Sequence, residues 1–205
     1  MEYKVDVGGV VYGMGNIQEV NISQPLFDTL SVGNACTAEL NMTFWPTATV
    51  PRMARIVPYA RKSSDEAWQQ LGIFYIDTRS KQGDALSIVA YDIMLRGEVI
   101  WEPRQDLEFE MTMPAAAAEI ARLMGTTLDR RTVLNPAYKI DYPANDYTLR
   151  DVLCFIAGAH AGNWIVTAAG QLLLVPLFGS LPPETHYLID ERGAAITFGG
   201  VRILV

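Results

Sequence analysis

The sequence predicts a mainly β fold with an α+β insertion. Three observations carry this. Apolar residues alternate with period two through about residue 90, two capped helical segments follow, and strand-like runs return after residue 163. The expected division is a β-barrel or sandwich over 1–97, a small helix-containing part over 98–163 and a β-segment over 164–205.

Tyr3, Val5 and Val7 alternate, and Gly8-Gly9 turns the chain into Val10-Val11-Tyr12. Ile17, Val20 and Ile22 mark a third, less regular strand. Cys36 to Phe44 is the cleanest segment: Cys36, Ala38, Leu40, Met42 and Phe44 fall on one face, with polar residues between them. Arg55 to Ala60, Leu71 to Asp77 and Ala85 to Tyr91 complete the set. Turn signals separate them at Gly33-Asn34, Pro51, Ser63-Ser64-Asp65 and Gln82-Gly83-Asp84. Pro46 and Pro58 fit strand ends or edges, because proline donates nothing to a ladder.

Pro114 to Met124 reads as a helix with proline in its first turn, an apolar stripe of Ala116, Ile120 and Leu123, and Gly125 as its left-handed stop. Residues 126–147 are polar and turn-rich. A second helix starts at Thr148-Leu149-Arg150-Asp151, a capping box with Asp in place of Glu. It buries Leu149, Val152, Leu153 and Ile156 and stops at Gly162. Trp164 to Val166 and Leu172 to Val175 then flank Ala168-Ala169-Gly170 as a hairpin. Two further strand-like pieces surround Gly199-Gly200. The final Ile203-Leu204-Val205 reads equally as a cut inside a strand and as a last docked strand. Leu40, Met42, Phe44, Ile120, Leu153 and Ile156 are expected inside.

The chain has 205 residues, half of them apolar, enough for a substantial core. Its net charge of −7 speaks against a general nucleic-acid binder, which needs clustered Lys and Arg. No apolar run reaches the roughly 18 residues of a membrane span. The N-terminus lacks the pattern of a secretory signal. Cys36 and Cys154 offer neither a disulfide framework nor zinc-ligand spacing, so a reducing place of synthesis is the default.

Signals for catalysis are sparse. There is no Walker loop, nucleophile elbow or zinc-protease motif, and Gly13-Met14-Gly15 opens no helix. His160 falls in the last turn of the second helix, where capping or packing is the plain reading. His186 lies in a proline-rich loop. Glu98, Glu102, Asp106, Glu108 and Glu110 crowd beside Trp101 and Phe109, which leaves open a glycosidase-type carboxylate pair or, more plainly, a solvated acidic face. Cys36 and Cys154 read as small core residues, and the scattered methionines, Met14, Met42, Met94, Met111, Met113 and Met124, as core filling. No catalytic, cofactor-binding or metal-binding residue is expected. Residues 51–62 carry +4 through Arg52, Arg55, Arg61 and Lys62, while residues 98–110 carry −4. Such segments pair within a subunit, pair across a ring, or remain solvated.

The order of several segments resembles a known family. Ser31-Val32-Gly33-Asn34-Ala35-Cys36 opens the long strand, and Val50-Pro51-Arg52-Met53-Ala54-Arg55-Ile56-Val57-Pro58-Tyr59 follows. Then come Gly72-Ile73-Phe74-Tyr75-Ile76-Asp77-Thr78, Ile88-Val89-Ala90-Tyr91-Asp92, the capped helix at Thr148 and the strand at Trp164. This is similar to the N-terminal hub region of phage and prophage tail-tip proteins, including baseplate hubs. The most specific part is Tyr91-Asp92 leading into a helix and a small helical insertion. The resemblance implies a tail-tube-like β-barrel, with 164–205 opening a second one. It also implies a homotrimer in the virion tail, made in the bacterial host cytoplasm. That ring would close the tail tube, bind tube and tip or baseplate proteins, and let DNA pass. It implies a structural role and no enzyme. The alternative is a carbohydrate-binding or carbohydrate-cleaving module of a cell-surface-acting protein, using residues 98–110 or the aromatics Trp45 and Trp68.

Overall fold

A computed structural model describes residues 1–26, 31–102, 109–141 and 146–178, together with 197–198 and 201–202. The strands are β1 (Glu2–Val7), β2 (Val10–Gly13), β3 (Ile17–Ser23), β4 (Asn34–Ala35), β5 (Glu39–Phe44), β6 (Arg55–Arg61), β7 (Gln69–Gln70), β8 (Phe74–Gln82) and β9 (Ala85–Tyr91). A short 3-10 helix covers Ile93–Glu98. Then come β10 (Met111–Thr112), helix α1 (Met113–Met124), β11 (Lys139–Ile140), helix α2 (Leu149–Ala159), β12 (Gly162–Val166) and β13 (Leu172–Pro176). Residues 197–198 and 201–202 pair as β14 (Thr197–Phe198) and β15 (Val201–Arg202).

The fold is mainly β. One antiparallel sheet runs β2-β1-β6-β8-β9-β5-β3, with β7 attached to β6. Its hairpins close where the sequence supplies glycine at positive φ. Gly8 and Gly9 stand at 61° and 94°, and the Gly9 N–H donates to Asp6 Oδ1 at 2.7 Å. Alternation puts Val5, Val7, Leu40, Met42, Phe44, Ile56, Phe74, Ile76, Ile88 and Ala90 on one interior face. Each large side chain there contributes roughly 1.5–3 kcal/mol by leaving water. The sheet curls strongly, because Tyr12 on β2 meets Phe44 on β5 edge-on, with ring centroids 4.9 Å apart. Among the described residues no ladder joins the outer strands β2 and β3 to each other.

A second core lies beside this sheet. It holds Ala116, Ala117, Ile120, Ala121 and Met124 of α1, and Leu149, Val152, Leu153, Ile156 and Ala157 of α2. Trp101, Trp164, Val166, Leu172 and Leu174 complete it. The start of α2 and the end of α1 are capped as the sequence announced. Thr148 accepts the Asp151 N–H at 3.0 Å and Asp151 accepts the Thr148 N–H at 2.9 Å, while Gly125 closes α1 at φ 80°. The six residues expected inside are all at most 2% exposed.

Several expectations need correction. The Cys36–Phe44 run is not one strand. Asn34–Ala35 pairs in parallel with β12, and only Glu39–Phe44 belongs to the large sheet. The chain changes sheets between them: the Cys36 N–H donates to Trp164 O at 2.8 Å and the Ala38 N–H to Asp92 Oδ2 at 2.7 Å. Cys36 is therefore half-buried, as is Cys154. Gly33-Asn34 accordingly enters a strand rather than making a free turn. Leu71 to Gly72 precede β8, which begins at Phe74. Pro58 sits inside β6 opposite Val5. Its missing N–H falls between the segment paired with β8 and the segment paired with β7. Leu123 is exposed, and Met124 takes the inner position, because the buried face of α1 passes through Ala117, Ala121 and Met124. α2 ends at Ala159, and Gly162 instead opens β12. A Cβ there would meet Val175 O at 2.7 Å, so close strand packing rather than helix capping requires this glycine. Met14 is exposed, at the end of β2. His186 and the final Ile203-Leu204-Val205 lie outside the described residues.

Candidate functional site

Two carboxylates of the acidic run are engaged in ion pairs. Glu98 pairs with Arg150, and Glu110 pairs with Lys139 at 2.6 Å, which holds the Glu110 carboxyl below its ordinary range. Glu102 is exposed. Asp106 and Glu108 lie outside the described residues. Trp101 is fully buried and unavailable as a sugar platform.

His160 caps α2. Its Nδ1 bonds Ile156 O at 2.8 Å, its Nε2 accepts the Asn135 N–H at 2.9 Å, and its ring lies against Tyr138. Both ring nitrogens are engaged in tying the segment after α1 to the end of α2. Burial pushes the Cys154 thiol up, as befits an unreactive sulfur. Among the described residues no cluster of His, Cys, Asp and Glu could hold a metal ion, and no helix is long and apolar enough to cross a membrane.

The basic segment splits in two. Arg52, Arg55 and Lys62 are exposed. Arg61 is engaged locally: it bonds Glu2 at 2.5 Å and stacks 4.4 Å from the Trp68 ring centroid, which Lys4 approaches to 4.5 Å. Trp68 thus has two cations against its ring, whereas Trp45 stays 43% exposed.

Two apolar surface features stand out among the described residues. Between β3 and the β1/β6 side lies a groove of about 450 Å³, with Tyr3, Val5, Val20, Ile22 and Leu71 in its lining. Beyond the second core, Tyr147 and Phe155 pack edge-on at 5.1 Å and are both about half exposed, with Val99 and Ile100 exposed nearby in the chain that bridges to Thr148.

Two groups quoted in the sequence analysis without a structural role, Asp92 and Arg150, organise the crossing between the two cores. Asp92 follows β9 and caps the 3-10 helix. Its Oδ1 accepts the Met94 N–H at 2.9 Å and its Oδ2 the Ala38 N–H at 2.7 Å. Burial pushes its carboxyl up to about 6, outweighing these two bonds and the nearby Arg150 charge. Arg150, from α2, reaches Thr37 Oγ1 on the crossover peptide and Glu98. An Asp immediately before an apolar helical turn was the available signal for the cap. Its burial had none.

No protein-family model matches this sequence, and no curated protein matches it. The fold is shared with solved structures. One is the 43 kDa tail protein of prophage MuSo2 from Shewanella oneidensis, at a TM-score of 0.58 and 13% identity over 85% of this chain and 55% of that one. Another is the tail protein from Neisseria meningitidis MC58, at a TM-score of 0.58 and 17% identity over 85% of this chain and 51% of that one. The chain therefore spans about half the length of these structures.

Proposed function

We propose that the chain is a structural component of a phage or prophage tail tip, a hub that closes the tail tube and connects it to tip or baseplate proteins. The observation that carries this reading is the fold shared with two tail proteins over 85% of the chain. In this proposal the curled sheet is the tail-tube-like barrel, 1–97 is the tube-like unit and 98–163 the helical unit. The segment 164–205 begins a second β-unit, with Trp164 and Leu172 sharing the core of the helices. The working state is a homotrimer in the virion tail, assembled from chains made in the host cytoplasm, and its ring passes DNA without specific binding. An acidic chain suits that passage, because it repels phosphates. The role is structural rather than enzymatic. Its support is that Glu98 and Glu110, two carboxylates of the alternative carbohydrate site, are committed to Arg150 and Lys139.

The test is to combine the longest available form of the protein with its tube protein and image the product by electron cryomicroscopy. A threefold ring at the tube end is the expected result. A protein that stays monomeric with the tube present would refute the hub. Glycan turnover lost in Glu102→Gln would favour the carbohydrate alternative.

A further inference from the structure

We propose that the mouth of the large sheet receives carboxylates, and that the face around it docks an acidic segment of another protein. The site begins with an irregularity in β8. Phe74 and Ile76 face inward with the core of the sheet. The register against β9 then shifts between Ile76 and Thr78. The extra residue reverses the alternation, so Arg79 stands opposite Ile88 and Lys81 opposite Leu86, both buried on the inner face. Two cations thereby take the inward positions where the apolar column would continue.

These cations meet a pocket rather than core. Arg79, Ser80 and Lys81 line one side of a cavity of about 620 Å³, with Leu86 of β9 and the loop segment 46–50 as its other walls. The Arg79 Nη1 donates to Val50 O at 2.6 Å, which anchors the guanidinium at the wall and leaves its remaining donors for a ligand. Among the described residues neither Arg79 nor Lys81 has a carboxylate partner.

The surroundings add apolar contact and more positive charge. The Gly8 N–H donates to Arg55 O at 2.8 Å and the Trp45 N–H to Asn16 O at 2.9 Å. The turns after β1 and β2, the start of β6 and the loop after β5 therefore share this end of the sheet. It presents Val11, Met14, Trp45 and Met53, all exposed, beside exposed Arg52 and Arg55. Of the acids in its turns and strand ends, Asp6 accepts the Gly9 N–H and Asp84 lies exposed at the β8–β9 turn. Cations thus outnumber carboxylates here, on a chain whose net charge is −7.

The chemistry of the occupant follows. Exposed arginine, methionine and tryptophan together have the composition of a protein-docking face, and unpaired cations favour carboxylates on the partner. Only Trp45 in this cluster offers a base a stacking surface, which disfavours a nucleic acid. This reading is independent of the tail assignment.

The test is a titration of the intact, isotope-labelled chain with a capped hexapeptide of alternating glutamate and leucine, read by the amide resonances of Thr47, Thr49, Arg79 and Lys81. A saturable shift confined to this end is expected. It should weaken at least about tenfold in Lys81→Glu, and should also weaken when salt is raised to about 0.3 M. No hydrogen bond of the Lys81 side chain is among those described, so this variant removes charge without breaking a fold contact. A flat titration at millimolar peptide, or unchanged affinity in Lys81→Glu, would overturn the proposal. The cations would then only guard the part of β8 beyond its ladder with β6. An equal response to a lysine–leucine peptide would remove charge from the explanation and sink it as well. Tighter binding of an oligothymidylate would refute it in favour of a nucleic acid. Shifts at these amides that grow with protein concentration alone would place a second copy there and refute a different partner.

Discussion

Asn34 and Asn163, far apart in sequence, are joined by a direct bond in which the Asn34 N–H donates to Asn163 Oδ1 at 2.9 Å. The amide nitrogen of Asn163 donates in turn to Leu26 O at 2.6 Å and Ser31 O at 2.9 Å. This fully buried side chain thus satisfies three backbone groups of the segment leading into β4 and holds that strand on the edge of β12. Asn163→Leu should cost about 2–4 kcal/mol, since it leaves those groups without partners. Urea denaturation measures it, and a loss under about 0.5 kcal/mol would show that the clamp contributes nothing. Asn163→Asp should also destabilise at neutral pH, where a carboxylate would face two carbonyl oxygens, and should recover partly in acid.

Gly162 and Gly158 separate steric need from helix propensity. Gly162→Ala places a Cβ 2.7 Å from Val175 O and 3.2 Å from Pro176 Cα, both backbone, and should destabilise by about 1–3 kcal/mol. Gly158→Ala meets only Gly33 Cα at 3.8 Å and lies in α2, so it should be neutral or stabilise by up to about 1 kcal/mol. Thermal melts of the two variants should therefore move in opposite directions or differ widely. Equal shifts would contradict the geometry.

The capping box of α2 predicts a pH effect on stability. Bonds from Thr148 hold the Asp151 carboxyl below its ordinary range. A depressed acid stabilises the fold above its unfolded value near 3.9, and that contribution fades as pH falls through the lower folded value. Thr148→Ala should cost about 1 kcal/mol at pH 7. The difference between wild type and variant should shrink below pH 4. A difference that grows in acid would show that the box is not formed.

Charge reversal at exposed Arg52 and Arg55 should leave monomer stability within about 0.5 kcal/mol, as expected for surface positions with no buried contact. If these residues meet an acidic surface in a ring, reversal should weaken assembly more at low salt than at 0.3 M, because exposed charges are screened within about 10 Å at 0.1 M. Light scattering over a salt series reads this. Assembly indifferent to the reversal at every salt would remove these arginines from the interface.

What the sequence alone determined is local in origin. The alternation of Leu40, Met42 and Phe44 set the inner face of β5, because successive side chains on a strand point to opposite sides. Thr148 with Asp151, and Gly125, marked helix ends, because capping is satisfied within three or four residues. Chemistry-bearing residues were legible as types but not as partners: Glu98 and Glu110 stood in an acidic run, and only folding brought Arg150 and Lys139 to them. The tertiary structure decided where the apolar run from Cys36 leaves one sheet for another, since that break depends on Trp164 and Asp92, which lie far along the chain. It also decided that Gly162 packs against Val175 rather than ending a helix, and that Asp92 is buried at the crossing between the cores. Periodicity reports which side of an element faces inward. Which element then covers that side depends on contacts between distant residues, and no local pattern encodes them.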